Sequence, residues 1–316
     1  MNYGQIDGLD RPASRIVLGS MAIDLVDPEL SCALLDRFLA RGGNLVDTAH
    51  VYRGGNSERA IGEWLRRRKN REQVMILTKG AHHDRFGPRV NPREIAFDLG
   101  QSLERLGTTY IDLYVLHRDD PDVPVSTIVE TLNEHMERGR MRAIGGSNWS
   151  HRRLEEANAY AREHNLVPFA VSSPNLSLAV PNEPMWKDCV SVNGDAEAVD
   201  WYRRHDLPLL SWSSQGGGFF TGRFSPDDTS NADMVRVYYN QGNWERLRRA
   251  EALGQELGYS PIQIALAWVL NQPDIVTFPL IGPKNVEELE SSLDAADIEL
   301  TPQQVRWLNL EADTRD

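Results

Sequence analysis

Short apolar runs alternate with longer amphipathic segments along almost the whole chain. Ile16-Val17-Leu18 opens the series and stops at Gly19, and a segment of helical period over 29–40 is ended by Gly42-Gly43. Strand-like runs follow at 44–47, 74–78, 111–116, 141–144, 169–171, 207–210 and 276–280. Helical patterns lie between them over 57–68, 92–106, 125–138, 151–164, 194–204 and 260–270, two of them closed by Gly107 and Gly139. Alternating strands and helices predict a parallel sheet covered by helices. Eight such runs predict an α/β fold of one closed (β/α)8 TIM barrel rather than two dinucleotide-binding halves. No linker, composition shift or repeat divides the chain, so residues 1–316 are read as a single domain.

Residues 178–193 and 221–243 break the rhythm. Both are polar and punctuated by Pro or Gly, and the alternation predicts them as long βα loops at the C-terminal face, where a barrel carries its site. Trp186 in the first loop either closes over a substrate or packs its own loop.

Composition removes several alternatives. Of 316 residues, 41% are hydrophobic and 8% aromatic, which provides a large core and excludes intrinsic disorder. Cys32 and Cys189 are the only cysteines, too few for a disulfide scaffold and suited to a reducing compartment. Thirty-four basic against 46 acidic residues leave a net charge of −12, which argues against a nucleic-acid partner. One anionic cofactor in a locally basic pocket remains compatible with that charge. No charged and then apolar leader opens the chain, and the most apolar helical stretch, residues 262–270, is too short for a membrane span. The expectation is a cytoplasmic protein with a small-molecule substrate and no membrane partner; nothing in the sequence sets an oligomeric state. The basic run 66–71 reads as a solvated helix end. His82-His83-Asp84 lacks a further ligand at metal spacing, so no metal is expected and the segment reads as a loop lining the mouth.

In a barrel, polar residues just past the C-terminal strand ends converge on one mouth. Three consecutive runs here end in Asp47, Lys79 and His117, with Tyr52 five positions beyond Asp47. The set suits reduction of a carbonyl. A free phenol has a pKa of about 10; a neighbouring ammonium, Lys79, lowers it, and Asp47 holds Lys79 charged. His117 donates a hydrogen bond to the carbonyl and orients it.

With Asp47-Thr48-Ala49 leading to Tyr52, Gly62 ten residues on, Leu116-His117-Arg118 and the Gly145-x-Ser147-Asn148 pattern, the sequence resembles the aldo-keto reductase superfamily from Gly19 to about residue 312. The resemblance implies an oxidoreductase in which Tyr52 transfers the proton and a nicotinamide dinucleotide lies across the barrel top. It places Gly19, Ser20, Met21 and Asp47 beside the cofactor, Ser147, Asn148 and Ser173 at the carboxamide, and Trp212 against the nicotinamide ring. Ser213, Ser214, Gly216, Gly218 and Arg223 would follow the pyrophosphate. Gly282, Lys284, Glu288 and Ser292 would meet the adenosine end, where Lys284 and a helix N-terminus favour NADP(H) over NAD(H). Three positions depart from the family pattern: Ser172-Ser173 stand for Asn-Gln, Glu288 for Arg or Gln, and Ser291-Ser292 for Glu-Asn. The substrate is expected among His50, His82, Arg118, Asp119, Trp149 and Trp186, a set suited to a sugar-like or polyhydroxylated molecule. Two rival readings are a nucleotide-binding regulatory subunit with little turnover and an aldolase using Lys79 as a Schiff base.

Overall fold

The structure is a computed structural model and describes residues 1–315. Its centre is a curled parallel sheet of β1 (Val17–Gly19), β2 (Leu45–Asp47), β3 (Met75–Gly80), β4 (Ile111–Leu116), β5 (Met141–Ser147), β6 (Val171–Ser173) and β7 (Leu280–Ile281). Neighbours in sequence pair in register from β1 to β6, and β7 returns to pair with β1. The gap between β6 and β7 is bridged by Leu209, parallel to Ser172 on one side and Thr277 on the other. The predicted seventh run is thus a bridge rather than a full strand, and it closes the barrel.

Strand periodicity sorts the core into two layers. Val17, Leu45, Met75, Leu77, Leu113, Val115, Ala143, Val171, Leu210 and Phe278 fill the barrel interior. The residues between them, such as Leu18, Val46, Ile76, Tyr114 and Ile144, pack outward against the helices. Ile6 and Ala13 join the inner layer from an N-terminal hairpin, Tyr3–Gly4 with Ala13–Ser14, which the hydrophobic pattern did not predict.

The surrounding helices are α1 (Pro28–Ala40), α2 (Asn56–Arg68), α3 (Pro92–Leu106), α4 (Val125–Glu137), α5 (His151–Glu163), α6 (Ala196–His205), α7 (Ala232–Tyr238), α8 (Gln241–Leu257), α9 (Pro261–Leu270), α10 (Val286–Asp294) and α11 (Pro302–Leu308). Their starts are fixed locally: Asp27, Asn91, Ser150 and Asp195 each accept a hydrogen bond from an amide in the first turn of α1, α3, α5 and α6. The segment 221–243 is not one loop, because α7 and the start of α8 lie within it. No helix among the described residues is long and apolar enough to cross a membrane.

Candidate active site

The parity that fills the barrel also aims its polar residues. Asp47 follows inward-facing Leu45 by two positions, Lys79 follows Leu77, His117 follows Val115, and Ser147 continues the face of Ala143. All four line one cleft of about 930 Å³. Tyr52 joins them from a tight turn between β2 and α2, where Arg53, Gly54 and Gly55 all take positive φ.

Lys79 organises the centre. Its Nζ donates to Asp47 Oδ1, to the Thr48 carbonyl at 3.0 Å and to the Tyr52 hydroxyl at 3.3 Å. These use the three donors of an ammonium. Burial pulls the Lys79 pKa down, but the charges of Asp47 and Tyr52 and their hydrogen bonds outweigh it and the net shift is upward. Burial likewise pushes Asp47 up, against the pull of Lys79. A charged amine with every donor occupied is a poor nucleophile, which counts against the Schiff-base reading.

Tyr52 departs from expectation in one respect. Burial raises its pKa, and although Lys79 pulls it back down, the net shift is upward. The phenol is therefore held protonated, a proton source at neutral pH. His117 meets the Tyr52 ring edge-on at 5.6 Å between centroids. Burial first, then the nearby Lys79, His82 and Arg118 charges, hold His117 well below the usual histidine range. It is a neutral imidazole, able to donate one N–H, and its Nδ1 is buried without a partner.

The cleft wall continues in both directions. Asn148 takes positive φ and its Oδ1 accepts from the Trp212 indole at 3.1 Å, while Trp186, 56% exposed, lies over Trp212 at 5.5 Å between centroids. His82 packs edge-on against His117 at 4.7 Å. Beyond Trp212 run Ser213, Ser214, Gly217 and Gly218, the two glycines at φ 61° and 88°. Arg223, Gly282, Lys284, Glu288 and Ser292 end the cleft, with Gly19 and Met21 on its flank. Neither Arg223 nor Lys284 forms an ion pair among the described residues. Glu288 does not stand aside from the expected phosphate position. Its Oε2 accepts from the Lys284 amide at 2.9 Å, at the N-terminus of α10.

Six expected residues are not on the cleft wall. Ser20 is buried past the end of β1, its carbonyl tied to the Ser57 hydroxyl. His50 turns to Gln101 on α3 at 2.7 Å. Trp149 is fully buried against Phe169, because the left-handed Asn148 swings the chain outward; its indole donates to the Arg118 carbonyl at 3.2 Å. Ser173 is buried with its carbonyl on the Ser147 hydroxyl, and Gly216 lies behind Gly217 facing Ala179. Asp119 is drawn away to Arg153. Sequence reasoning missed Lys187 and Cys189, which line the cleft from the loop that carries Trp186, and Ile262 and Gln215 near its far end. None follows a strand end, so the strand-end rule had no means of finding them. No metal-holding group of three or more His, Cys, Asp or Glu side chains occurs among the described residues.

The elongated cleft fits a dinucleotide on its own terms. It combines a polar catalytic end, an aromatic wall at Trp212, a positive-φ glycine turn and two unpaired cations. Residues 15–309 match the sequence model of the Aldo/keto reductase family. The chain is 27% identical over 292 residues to norsolorinic acid reductase of Aspergillus flavus, spanning 90% of this chain and 71% of that protein. It is 26% identical over 322 residues to the uncharacterized oxidoreductase YrpG of Bacillus subtilis, spanning 98% and 95%. It is also 29% identical over 308 residues to a putative aryl-alcohol dehydrogenase of Saccharomyces cerevisiae, spanning 92% and 77%.

Proposed function

The chain belongs to the aldo/keto reductase family, and we propose that it interconverts a carbonyl and an alcohol with a nicotinamide dinucleotide, Tyr52 being the proton donor in reduction. The observation that carries this reading is the Lys79 ammonium spent on Asp47, Thr48 and the Tyr52 hydroxyl. Bound nicotinamide supplies the hydride in reduction and takes it back in oxidation. Ser147, Asn148 and Trp212 would hold that ring's end, the 213–218 turn and Arg223 the pyrophosphate, and Lys284 the adenosine end.

The substrate carbonyl oxygen sits between the Tyr52 hydroxyl and the neutral His117 imidazole. His117 donates a hydrogen bond that strengthens as negative charge develops on that oxygen. Tyr52 then hands over its proton, while Lys79, already bound to the phenol oxygen, stabilises the phenolate left behind. Asp47 keeps Lys79 charged through the cycle. Trp186 offers a flat apolar face beside polar His82 and Arg118, a combination suited to a sugar-like or polyhydroxylated substrate.

For the cofactor, Lys284 supports NADP(H). The Glu288 carboxylate on the Lys284 amide opposes a 2′-phosphate and suits a ribose hydroxyl, so the preference over NAD(H) is narrow. NADPH and NADH oxidation against aldehydes, ketones, sugars and polyols tests the reading. Turnover of a carbonyl with either cofactor is expected, and none with any of them would overturn it.

A further inference from the structure

Arg118 follows His117 at the end of β4 and lines the cleft, yet only 7% of it is exposed. One of its donors is used, Nη1 on the His117 carbonyl at 2.9 Å, and its Nε is buried with no partner. Other enclosed arginines of this chain spend their donors: Arg15 and Arg246 on carbonyl, hydroxyl and amide oxygens, and three more on carboxylates. Arg71 meets Asp112 at 2.8 Å, Arg89 meets Asp98 at 2.7 Å, and Arg105 meets Glu58 at 3.0 Å. Arg118 has no such carboxylate among the described residues, and its own neighbour Asp119 pairs with Arg153 instead. A guanidinium removed from water without a counter-charge is costly unless something supplies one.

Its surroundings add to the imbalance. The Arg118 charge is felt at Tyr52, His82, His117 and Cys189, which puts it beside the proton-transfer pair. Lys187 faces the same cleft from the Trp186 loop, also unpaired among the described residues. The acids lining the cleft are Asp47, already bound to Lys79, and Glu287 and Glu288 at the far end on α10. The end that receives the carbonyl is therefore cationic.

We propose that the substrate carries a carboxylate as well as its carbonyl, and that Arg118 binds this carboxylate and selects for it. This rests on the hydride-transfer reading above and narrows its substrate class to oxo acids and sugar acids. The planar guanidinium fork matches the two oxygens of a carboxylate. Anchoring one end of the substrate holds the carbonyl carbon in place for hydride, while the proton still comes from Tyr52.

The test compares carboxylate substrates with neutral counterparts, glucuronate with glucose and pyruvate with its methyl ester, in the wild type, Arg118→Met and Arg118→Lys. Wild type should favour the acids by about 30-fold or more in kcat/KM, and Arg118→Met should remove most of that ratio through KM. Arg118→Lys should recover part of it, since it restores charge without the fork. Binding of the same acids to the protein–cofactor complex, read by tryptophan fluorescence, checks the assignment apart from turnover. Retained cofactor quenching in both variants shows that they fold. Equal use of acids and neutral compounds by wild type, an unchanged ratio in Arg118→Met, or preference for a sugar phosphate over both would overturn the proposal while leaving carbonyl reduction intact. Absence of turnover with every carbonyl would instead remove the underlying reading, and failure of the acids to bind would then remove the proposal too.

Discussion

Replacing Asp47 by Asn leaves the Lys79 ammonium buried without its counter-charge. Removing one partner of a buried pair costs about 3–5 kcal/mol. Lys79 keeps two neutral acceptors, the Thr48 carbonyl at 3.0 Å and the Tyr52 hydroxyl at 3.3 Å. The expected loss is therefore at the lower end, about 3 kcal/mol. The pH dependence should change as well. In the wild type the Lys79 pKa is raised, so its contribution is complete below the unfolded value of about 10.4 and is lost only as pH rises through the folded one. Without Asp47, burial becomes the dominant influence and pulls the folded pKa below the unfolded value. The unfolded chain then binds a proton that the folded one lacks, and stability rises with pH by up to about 1.4 kcal/mol per unit. Urea unfolding followed by tryptophan fluorescence, at about pH 7 and about pH 9, measures both effects. Asp47→Leu combined with Lys79→Met should recover to within about 1 kcal/mol of wild type, since neither charge remains to be satisfied. A midpoint for Asp47→Asn equal to wild type at the lower pH, or no gain at the higher, would refute the reasoning.

Four further outcomes follow from the same geometry. Gly62→Ala drives a methyl into the Arg105 carbonyl and to 2.9 Å from Leu106, forcing α2 from α3; the Tm should fall by several degrees, for a loss of about 1–3 kcal/mol, and a change under about 1 °C would count against it. Glu288→Gln should shift the ratio of NADPH to NADH affinity toward NADPH by roughly tenfold in fluorescence titrations, and an unmoved ratio would take Glu288 out of cofactor choice. Because Tyr52 is held above and His117 well below their ordinary values, the reductive kcat should show no inflection between about pH 6 and about pH 9. The neutral His117 also makes stability fall as pH drops from about 6.5 toward its folded value. A kinetic inflection near 6.5 would show that His117 titrates there.

The barrel and its centre were legible in the sequence because both follow from one alternation. Leu45 and Asp47, Leu77 and Lys79, and Val115 and His117 share a face, so a run that fills the interior also points its last polar residue into the mouth. The rule fails where the strand ends and the backbone turns. Trp149 is two residues beyond Ser147, but the left-handed Asn148 breaks the parity and sends the indole into the outer layer. His50 sits past β2 and is captured by Gln101 from another element, a contact that no local pattern encodes. Helix α8 went unread although it spans 17 residues, because its apolar positions are few among charged ones that pair within the helix, as Glu245 does with Arg248 and Arg249. The direction of the Tyr52 shift was also beyond the sequence. Lys79 alone implies a lowered phenol, and burial first, with the nearby Asp47 charge, reverses it.

The central claim is that Tyr52, bound to Lys79, gives its proton to a carbonyl oxygen. Single-turnover oxidation of bound NADPH or NADH by the best carbonyl substrate, in wild type and Tyr52→Phe, tests it most directly. The account predicts a fall of about 100- to 10,000-fold in the chemical step with cofactor affinity retained. An unchanged rate in Tyr52→Phe would contradict it.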